Sequence, residues 1–209
     1  MSLALVLRAV AEGVRAERDA LNRLDGQAGD GDLGVTMGTA AQLVLELLPG
    51  VEAKTPAEIL KACGLSLARG APSTAGTLVA TGLLRAGKAA EVRAAGDAAT
   101  LAALLDAARA GIAERGKAEA GSKTMLDALI PACAAASAAA AGGESLQQAL
   151  ERAATAADAG ARATVDMRPL HGRAGWLVER SAGHEDAGAR LVAIALRLAA
   201  DATAGPAAA

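Results

Sequence analysis

Three aspartates interleaved with glycines stand near the start of the sequence, in the stretch LDGQAGDGDLG from Leu24 to Gly34. They are Asp25, Asp30 and Asp32. Unpaired carboxylates repel one another and glycine-rich backbone is costly to order, so a positively charged partner is expected. Carboxylates clustered on flexible backbone suit hard cations, which take oxygen ligands.

The spacing of these aspartates narrows the choice of cation. A calcium-binding EF-hand loop counted from Asp30 needs an acidic or amide residue at its fifth position and Glu at its twelfth, where the chain has Gly34 and Ala41. Magnesium fits better, because it takes few carboxylates when phosphates supply its other ligands. The alternative is that Asp32 caps a helix while the other two aspartates are solvated turn residues.

Three further stretches carry residues that suit anion or nucleotide binding. GAPSTAGT places Ser73, Thr74 and Thr77 at a helix start, where free N–H groups favour an anion, although ordinary helix capping gives the same pattern. No GxxxxGK[ST] phosphate loop occurs. RGKAEAGSKTM and GRAGWLVERSAGHEDAGA offer Met125 to cover a flat ring and Arg173 to contact phosphate or ribose. A core methionine and a surface arginine are the simpler interpretations.

Composition predicts a helical protein and gives no support for binding to nucleic acid or to an anionic membrane. The 209 residues are 53% hydrophobic and rich in alanine, with no Phe or Tyr and only Trp176 as an aromatic residue. A net charge of -2 gives no electrostatic argument for nucleic acid or an anionic membrane. Cys63 and Cys133 are expected to be buried reduced thiols. No stretch reads as a signal peptide or membrane span, so the cytoplasm is expected.

Apolar periodicity and capping signals predict about eight helices and no strand. The expected helices cover 2–24, 32–48, 55–68, a stretch ending near 90, 98–115, 123–141 with a kink at Pro131, 145–164 and 187–202, followed by a frayed tail from 203 to 209. The fold class is therefore all-α, a single-domain barrel or bundle of antiparallel helices over 1–209. Four glycine-rich loops follow alternate helices, which places them together at one end, the rim.

Three long motifs in this sequence resemble those of one known family. LNRLDGQAGDGDLGVTM closely resembles the signature of the dihydroxyacetone kinase L-subunit (DhaL) family. RGKAEAGSKTMLDALIPA resembles its RGKAxxGDKTMxDxxxP segment, and GRAGWLVERSAGHEDAGA resembles its GRASYLGERSxGHxDPGA segment. The resemblance covers essentially the whole chain. It implies a barrel of eight antiparallel helices that binds an adenine nucleotide, ADP or ATP, at one rim through two Mg²⁺ ions.

The resemblance also implies roles for individual residues. Asp25, Asp30 and Asp32 match the metal ligands, which carry the catalytic charge neutralisation. The nucleotide contacts fall on Leu33, Gly34, Thr36, Ser73, Thr74, Ala75, Gly76, Gly116, Met125, Arg173, Glu185, Asp186 and Ala187. The chain departs from the family pattern at several positions. It has Leu33 where the family often has His, Thr36 where it often has Asn, and Ala75 where it usually has Ser. It also has Ser122 in place of the usual Asp and Ala187 in place of the usual Pro.

As a family member, the chain is expected to be an incomplete kinase. A separate K subunit would hold a small ketose covalently through a histidine, and this chain would supply the nucleotide. Two phosphoryl sources stay open: exchange of ATP for ADP, or a bound ADP rephosphorylated by a phosphotransferase-system protein. A nucleotide-gated regulatory or scaffold protein of the same fold is the alternative function. The exact ketose and any self-association are left open.

Overall fold

A computed structural model describes residues 2–93, 96–168 and 181–204 of the chain, which form helices and connecting turns with no strand. Nine α-helices lie within these ranges: α1 (Leu3–Ala16), α2 (Arg18–Ala28), α3 (Leu33–Leu47), α4 (Pro56–Gly70), α5 (Thr74–Ala90), α6 (Ala98–Gly116), α7 (Leu126–Ala141), α8 (Leu146–Ala163) and α9 (Ala187–Ala204). Short 3₁₀ turns cover Leu48–Gly50 and Thr164–Asp166. The all-α prediction is confirmed.

Side-chain caps mark the helix starts that the sequence predicts. At α4, the Thr55 hydroxyl accepts a hydrogen bond from the Glu58 N–H, and the Glu58 carboxylate accepts one from the Thr55 N–H. Ser145 and Gln148 form the same reciprocal pair at α8. Each box satisfies N–H groups that the first helical turn leaves without partners, so these two boundaries are fixed locally.

The helices pack as a closed ring. In order around it, α1 packs against α3, and then each of α4, α5, α6, α7, α8 and α9 packs against its predecessor, until α9 returns to α1. Helix α2 continues from α1 and packs against the start of α3. By length and composition alone, Leu33–Gly50 is apolar enough to span a membrane; here it forms α3 and the following turn, between α1 and α4.

Two kinds of packing fill the core. Larger side chains such as Leu21, Met37 and Ile59 fill the core among the first five helices, α1 through α5. Alanines, in contrast, form nearly the whole buried interface of α7, α8 and α9. At Gly160 a Cβ atom would lie 2.3 Å from the Asp127 carbonyl oxygen, so α8 meets the backbone of α7 directly. The predicted close packing of small residues is therefore present.

Cys63 and Cys133 are both buried, and burial raises the pKa of each thiol to about 11.

The structure corrects two predicted helices. The first was expected to run to Leu24 but is interrupted at Glu17 and continues as α2 to Ala28, so Asp25 lies on a helix. The sixth was expected from Lys123 but begins at Leu126, because Lys123 has a left-handed backbone with φ of 58°. The predicted last helix extends to Ala204, and the predicted tail beyond it lies outside the described residues. The single domain over 1–209 stays a prediction.

Candidate functional site

A cleft of about 400 Å³ opens at one end of the ring. Helices α2, α4 and α6 end there, and α3, α5, α7 and α9 begin there. The predicted convergence of the glycine-rich loops is seen for their described parts. The lining consists of Leu24, Asp25, Ala28, Gly29, Asp30, Asp32, Leu33, Thr36, Pro72, Ser73, Thr74, Ala75, Leu78, Ile112, Gly116, Ala118, Lys123, Thr124, Met125, Leu126, Asp186, Ala187 and Gly188.

The three aspartates form one cluster in this cleft. One carboxylate oxygen from each of Asp25, Asp30 and Asp32 lies within 4.8 Å of the other two. Asp25 is half-buried, whereas the other two side chains are exposed. Oxygens bound to one Mg²⁺ are separated by roughly 3–4 Å, so the cluster is close to the size of a metal coordination shell. All three donors are hard oxygens, which is the chemistry that magnesium requires.

Helix capping explains why Asp25 is held in place. Its Oδ2 accepts hydrogen bonds from the N–H groups of Asp32 at 3.0 Å and Leu33 at 3.3 Å, so a residue of α2 caps α3. The Asn22 side chain accepts a third bond from Val35 N–H at 3.1 Å. Asp32 occupies the N-cap position but makes no side-chain capping bond. Capping alone therefore does not account for the Asp32 carboxylate.

Two glycines make this arrangement sterically possible. A Cβ atom on Gly29 would lie 2.6 Å from Asp25 Oδ1, the oxygen that the caps leave unused. A Cβ atom on Gly34 would lie 1.9 Å from the Arg18 carbonyl oxygen. Gly29 thus preserves space around a carboxylate oxygen, and Gly34 lets α3 approach the backbone of α2. These two glycines of the stretch therefore have a direct steric cause.

The start of α5 forms a neighbouring part of the cleft. The Ser73 hydroxyl accepts a hydrogen bond from Gly76 N–H at 2.9 Å and so caps the helix. Thr74 is exposed and Ala75 half-buried, and both line the cleft. Because first-turn N–H groups lack intrahelical partners and carry the positive end of the helix dipole, this end favours an anion. It faces the same space as the aspartates.

Another part of the lining is apolar. Leu78, Ile112, Met125 and Leu126 supply side chains, and Gly116 leaves room beside them. Met125 is only 6% exposed, so it forms a fixed wall. The flat faces of an aromatic base can pack against these apolar side chains, whereas phosphates require the aspartates and the helix start described above.

Asp186 closes the cleft beside Met125. Its Oδ2 accepts a hydrogen bond from Ala189 N–H at 2.7 Å, which caps α9, and its own N–H donates to Thr164 Oγ1 at 2.8 Å. Burial raises the pKa of Asp186 to about 7; Asp127 and Asp25 add to the rise, while the Ala189 N–H and Lys123 oppose it. Burial is therefore the main reason that the charged form of Asp186 is disfavoured, and the neighbouring carboxylates contribute less.

Most predicted site residues meet in this cleft. Twelve of them line it: Asp25, Asp30, Asp32, Leu33, Thr36, Ser73, Thr74, Ala75, Gly116, Met125, Asp186 and Ala187. Three others lie outside the lining. Gly34 and Gly76 have steric reasons to be glycine, since a Cβ on Gly76 would lie 2.1 Å from the Ala71 carbonyl oxygen. Glu185 instead accepts two bonds from the Arg190 guanidinium, at 2.7 and 2.6 Å. Arg173 lies outside the described residues.

Sequence reasoning missed Lys123 and Asp127. Asp127 accepts hydrogen bonds from Gly121 N–H at 2.5 Å and Thr124 N–H at 2.8 Å, which shapes the loop before α7. Lys123 lines the cleft and is 3% exposed. A lysine directly after a glycine-rich loop and before an apolar helix was the available signal, but lysines in loops are ordinarily solvated.

The two roles of the acidic cluster predict opposite effects of removing its members. Asp25→Ala loses the cap of α3 and should reduce the free energy of unfolding by about 1–2 kcal/mol. Asp32→Ala removes a repelling charge without losing a cap, so stability should stay equal or rise. Urea unfolding followed by circular dichroism in EDTA measures both. A larger loss in Asp32→Ala than in Asp25→Ala would contradict the assignment of the cap.

Comparison with known proteins identifies the family. Residues 27–201 match the DAK2 domain. The chain is 34% identical over 182 residues to the PEP-dependent dihydroxyacetone kinase, ADP-binding subunit DhaL, of Escherichia coli (strain K12), covering 87% of each chain. It is 35% identical over 195 residues to D-erythrulose kinase of Mycolicibacterium smegmatis, covering 92% of this chain and 34% of that protein.

A solved structure has the same fold. The dihydroxyacetone kinase from C. freundii, crystallised in complex with AMP-PNP and Mg²⁺, matches with a TM-score of 0.73 and 28% sequence identity. The match covers 95% of this chain and 33% of that one, so this chain corresponds to about a third of the larger kinase. The family predicted from the three motifs is confirmed: the chain belongs to the DAK2 (DhaL) family of dihydroxyacetone kinase domains.

Proposed function

We propose that this chain is the nucleotide-binding subunit of a dihydroxyacetone-type kinase. It binds a magnesium–adenine nucleotide in the rim cleft and delivers a phosphoryl group to a small ketose held by a separate K subunit. The observation that carries the proposal is that one cleft is lined both by acidic and hydroxyl-bearing residues and by a group of apolar side chains. A nucleotide likewise combines charged phosphates with a flat base.

The acidic cluster is proposed to hold two Mg²⁺ ions through Asp25, Asp30 and Asp32. When bound, the ions neutralise phosphate charge and clamp the transferred group, which is the main catalytic requirement in phosphoryl transfer. The cluster of carboxylate oxygens within 4.8 Å supports this assignment. So does the relative from C. freundii, whose crystal contains both AMP-PNP and Mg²⁺.

The rest of the nucleotide is assigned along the cleft. Thr74 and Ala75 are proposed to receive phosphate oxygens at the positive end of α5, with Ser73 holding that helix start. Gly116 and Met125 are proposed to flank the adenine, with Asp186 and Ala187 completing the lining around it. Predicted contacts from Leu33, Gly34, Thr36, Gly76, Arg173 and Glu185 stay predictions.

The departures from the family pattern leave the proposed ligand set intact. Ala75 retains a backbone N–H at the helix start, and the preceding residue, Thr74, carries a hydroxyl and also lines the cleft. Ser122 is fully buried, and its hydroxyl accepts a hydrogen bond from Glu119 N–H at 3.3 Å, so it serves the loop. Neither replacement removes a carboxylate from the acidic cluster.

The phosphoryl source and the ketose are not fixed by this cleft. The Escherichia coli relative is PEP-dependent and ADP-binding, which favours a bound ADP recharged by a phosphotransferase-system protein. The Mycolicibacterium smegmatis relative is a D-erythrulose kinase, so dihydroxyacetone and erythrulose are both candidate acceptors. A regulatory protein without turnover is the second candidate. Location in the cytoplasm and the absence of nucleic-acid or membrane partners stay predictions.

Nucleotide binding is expected to depend on magnesium and on the acidic cluster. Isothermal titration calorimetry should detect ADP binding with Mg²⁺ and much weaker binding in EDTA. Asp30→Asn and Asp32→Asn should each abolish detectable binding while the helical signal persists. Asp19→Asn, an exposed aspartate on α2, is the matched control and should bind as wild type. Equal affinity in Mg²⁺ and EDTA would refute the carboxylate–metal assignment.

Turnover is expected to require the K subunit. Alone with ATP, Mg²⁺ and dihydroxyacetone, the chain should yield little or no sugar phosphate, because the proposal places the ketose on the K subunit. Addition of the cognate K subunit should restore transfer, and Asp32→Asn should remove it again. Robust turnover by the isolated chain would contradict the split-subunit proposal. No turnover with the partner, under ATP and phosphotransferase-driven conditions alike, would favour the regulatory alternative.

A further inference from the structure

Lys123 has an unusual position for a lysine. It lies in the loop between α6 and α7 and is only 3% exposed to solvent. Its φ of 58° places the backbone in the left-handed region, which residues other than glycine rarely adopt. That conformation is unfavourable for a residue that has a side chain, and burial of an ammonium group adds a further penalty. The surrounding structure must compensate both costs.

The compensation comes from distant parts of the chain. Lys123 Nζ donates one hydrogen bond to the Ser181 carbonyl at 2.7 Å and another to the Met167 carbonyl at 3.2 Å. These acceptors are 58 and 44 positions away in sequence. Burial lowers the pKa of Lys123, and the negative charges of Asp186 and Asp166 oppose that decrease. The side chain therefore joins three separate segments at one buried point.

One of the joined segments leads directly into the cleft. The Ser181 carbonyl also accepts a hydrogen bond from His184 N–H at 3.4 Å, and the turn then continues to Asp186, which lines the cleft. Asp186 N–H is held by Thr164, three residues before Met167. Displacement of Met167 or Ser181 would therefore move the wall that carries Asp186.

The lysine's own loop forms the facing wall. Thr124 and Met125 follow Lys123 directly, and both line the cleft. The two walls meet closely, since a Cβ atom on Gly188 would lie 3.5 Å from both the N and the Cβ of Met125. The backbone of Lys123 orients one wall while its ammonium group holds the other.

We propose that Lys123 is a positioning residue for the nucleotide: by joining the Met167 and Ser181 carbonyls to the loop before α7, it fixes the spacing of the walls formed by Met125 and Asp186. This inference rests on the proposed nucleotide site. The ammonium group acts through protein carbonyls, so Lys123 is not assigned a role in chemistry. Its removal should weaken nucleotide binding without dissolving the helical ring.

Lys123→Met tests this proposal, because it keeps an unbranched side chain but removes the hydrogen-bond donors. Lys117→Met is the matched control: Lys117 lies in the same loop with φ of 51°, but it is exposed. Calorimetry with MgADP should show an affinity about tenfold or more lower for Lys123→Met, as expected when charged hydrogen bonds that order a site are lost. Lys117→Met should stay within about twofold of wild type, the scatter expected of a surface substitution.

Tryptophan fluorescence supplies a second readout. Trp176 is the only tryptophan, and it stands in sequence between Met167 and Ser181, so selective excitation reports on the stretch whose two ends Lys123 holds. Lys123→Met should change its emission maximum or intensity at a temperature where circular dichroism shows unchanged helicity. A merely structural lysine would lower the melting temperature but leave folded-state emission and MgADP affinity as in wild type, which would overturn the proposal.

A third variant keeps the test decisive if Lys123→Met does not fold. Lys123→Gln retains an N–H donor without the charge and should show intermediate MgADP affinity and emission. If Lys123→Met is unfolded, a folded Lys123→Gln with wild-type MgADP affinity and wild-type emission would overturn the proposal. If wild type itself fails to bind MgADP, the proposed function fails, and the emission comparison still tests the junction.

Discussion

The rim cleft depends on one contact between two helices, the capping of α3 by the side chains of α2. Asp25 and Asn22 satisfy N–H groups at the start of α3, and these N–H groups offset part of the negative charge that accumulates there. Gly34 lets the backbones approach closely enough for those bonds to form. Because Asp25 performs the capping, Asp32 makes no capping bond and stays exposed toward the cleft.

Alternation of helix direction extends this local arrangement to the whole rim. The stretches after α2, α4 and α6 and the start of α9 lie at the same end of the ring, so acidic, hydroxyl and apolar residues meet although they are distant in sequence. The alanine interface of α7, α8 and α9 gives this part of the ring little freedom to shift. Rigid helices thus carry the loops that line the cleft, and in this way the fold brings together binding residues that are distant in sequence.

Local signals predicted much of this structure. Capping boxes at Thr55 and Ser145 fixed two boundaries, and the three clustered aspartates pointed to the cleft. Helix ends that depend on tertiary contacts escaped prediction, since α2 continues through Asp25 where the glycine content favoured a loop. Lys123 was missed for the same reason: its acceptors lie 44 and 58 positions away, and no local pattern specifies them. The partnership of Glu185 with Arg190 also required the fold.

The proposed function requires that a metal held by the acidic cluster meets the phosphates of a nucleotide in this cleft. Anomalous diffraction from crystals grown with Mn²⁺ and ADP measures this most directly, because Mn²⁺ replaces Mg²⁺ at oxygen sites and its signal locates the ion. Anomalous peaks are expected in contact with oxygens of Asp25, Asp30 and Asp32 and of the diphosphate, with the base beside Met125. Ordered ADP without a metal at these carboxylates, or bound outside the cleft, would contradict it.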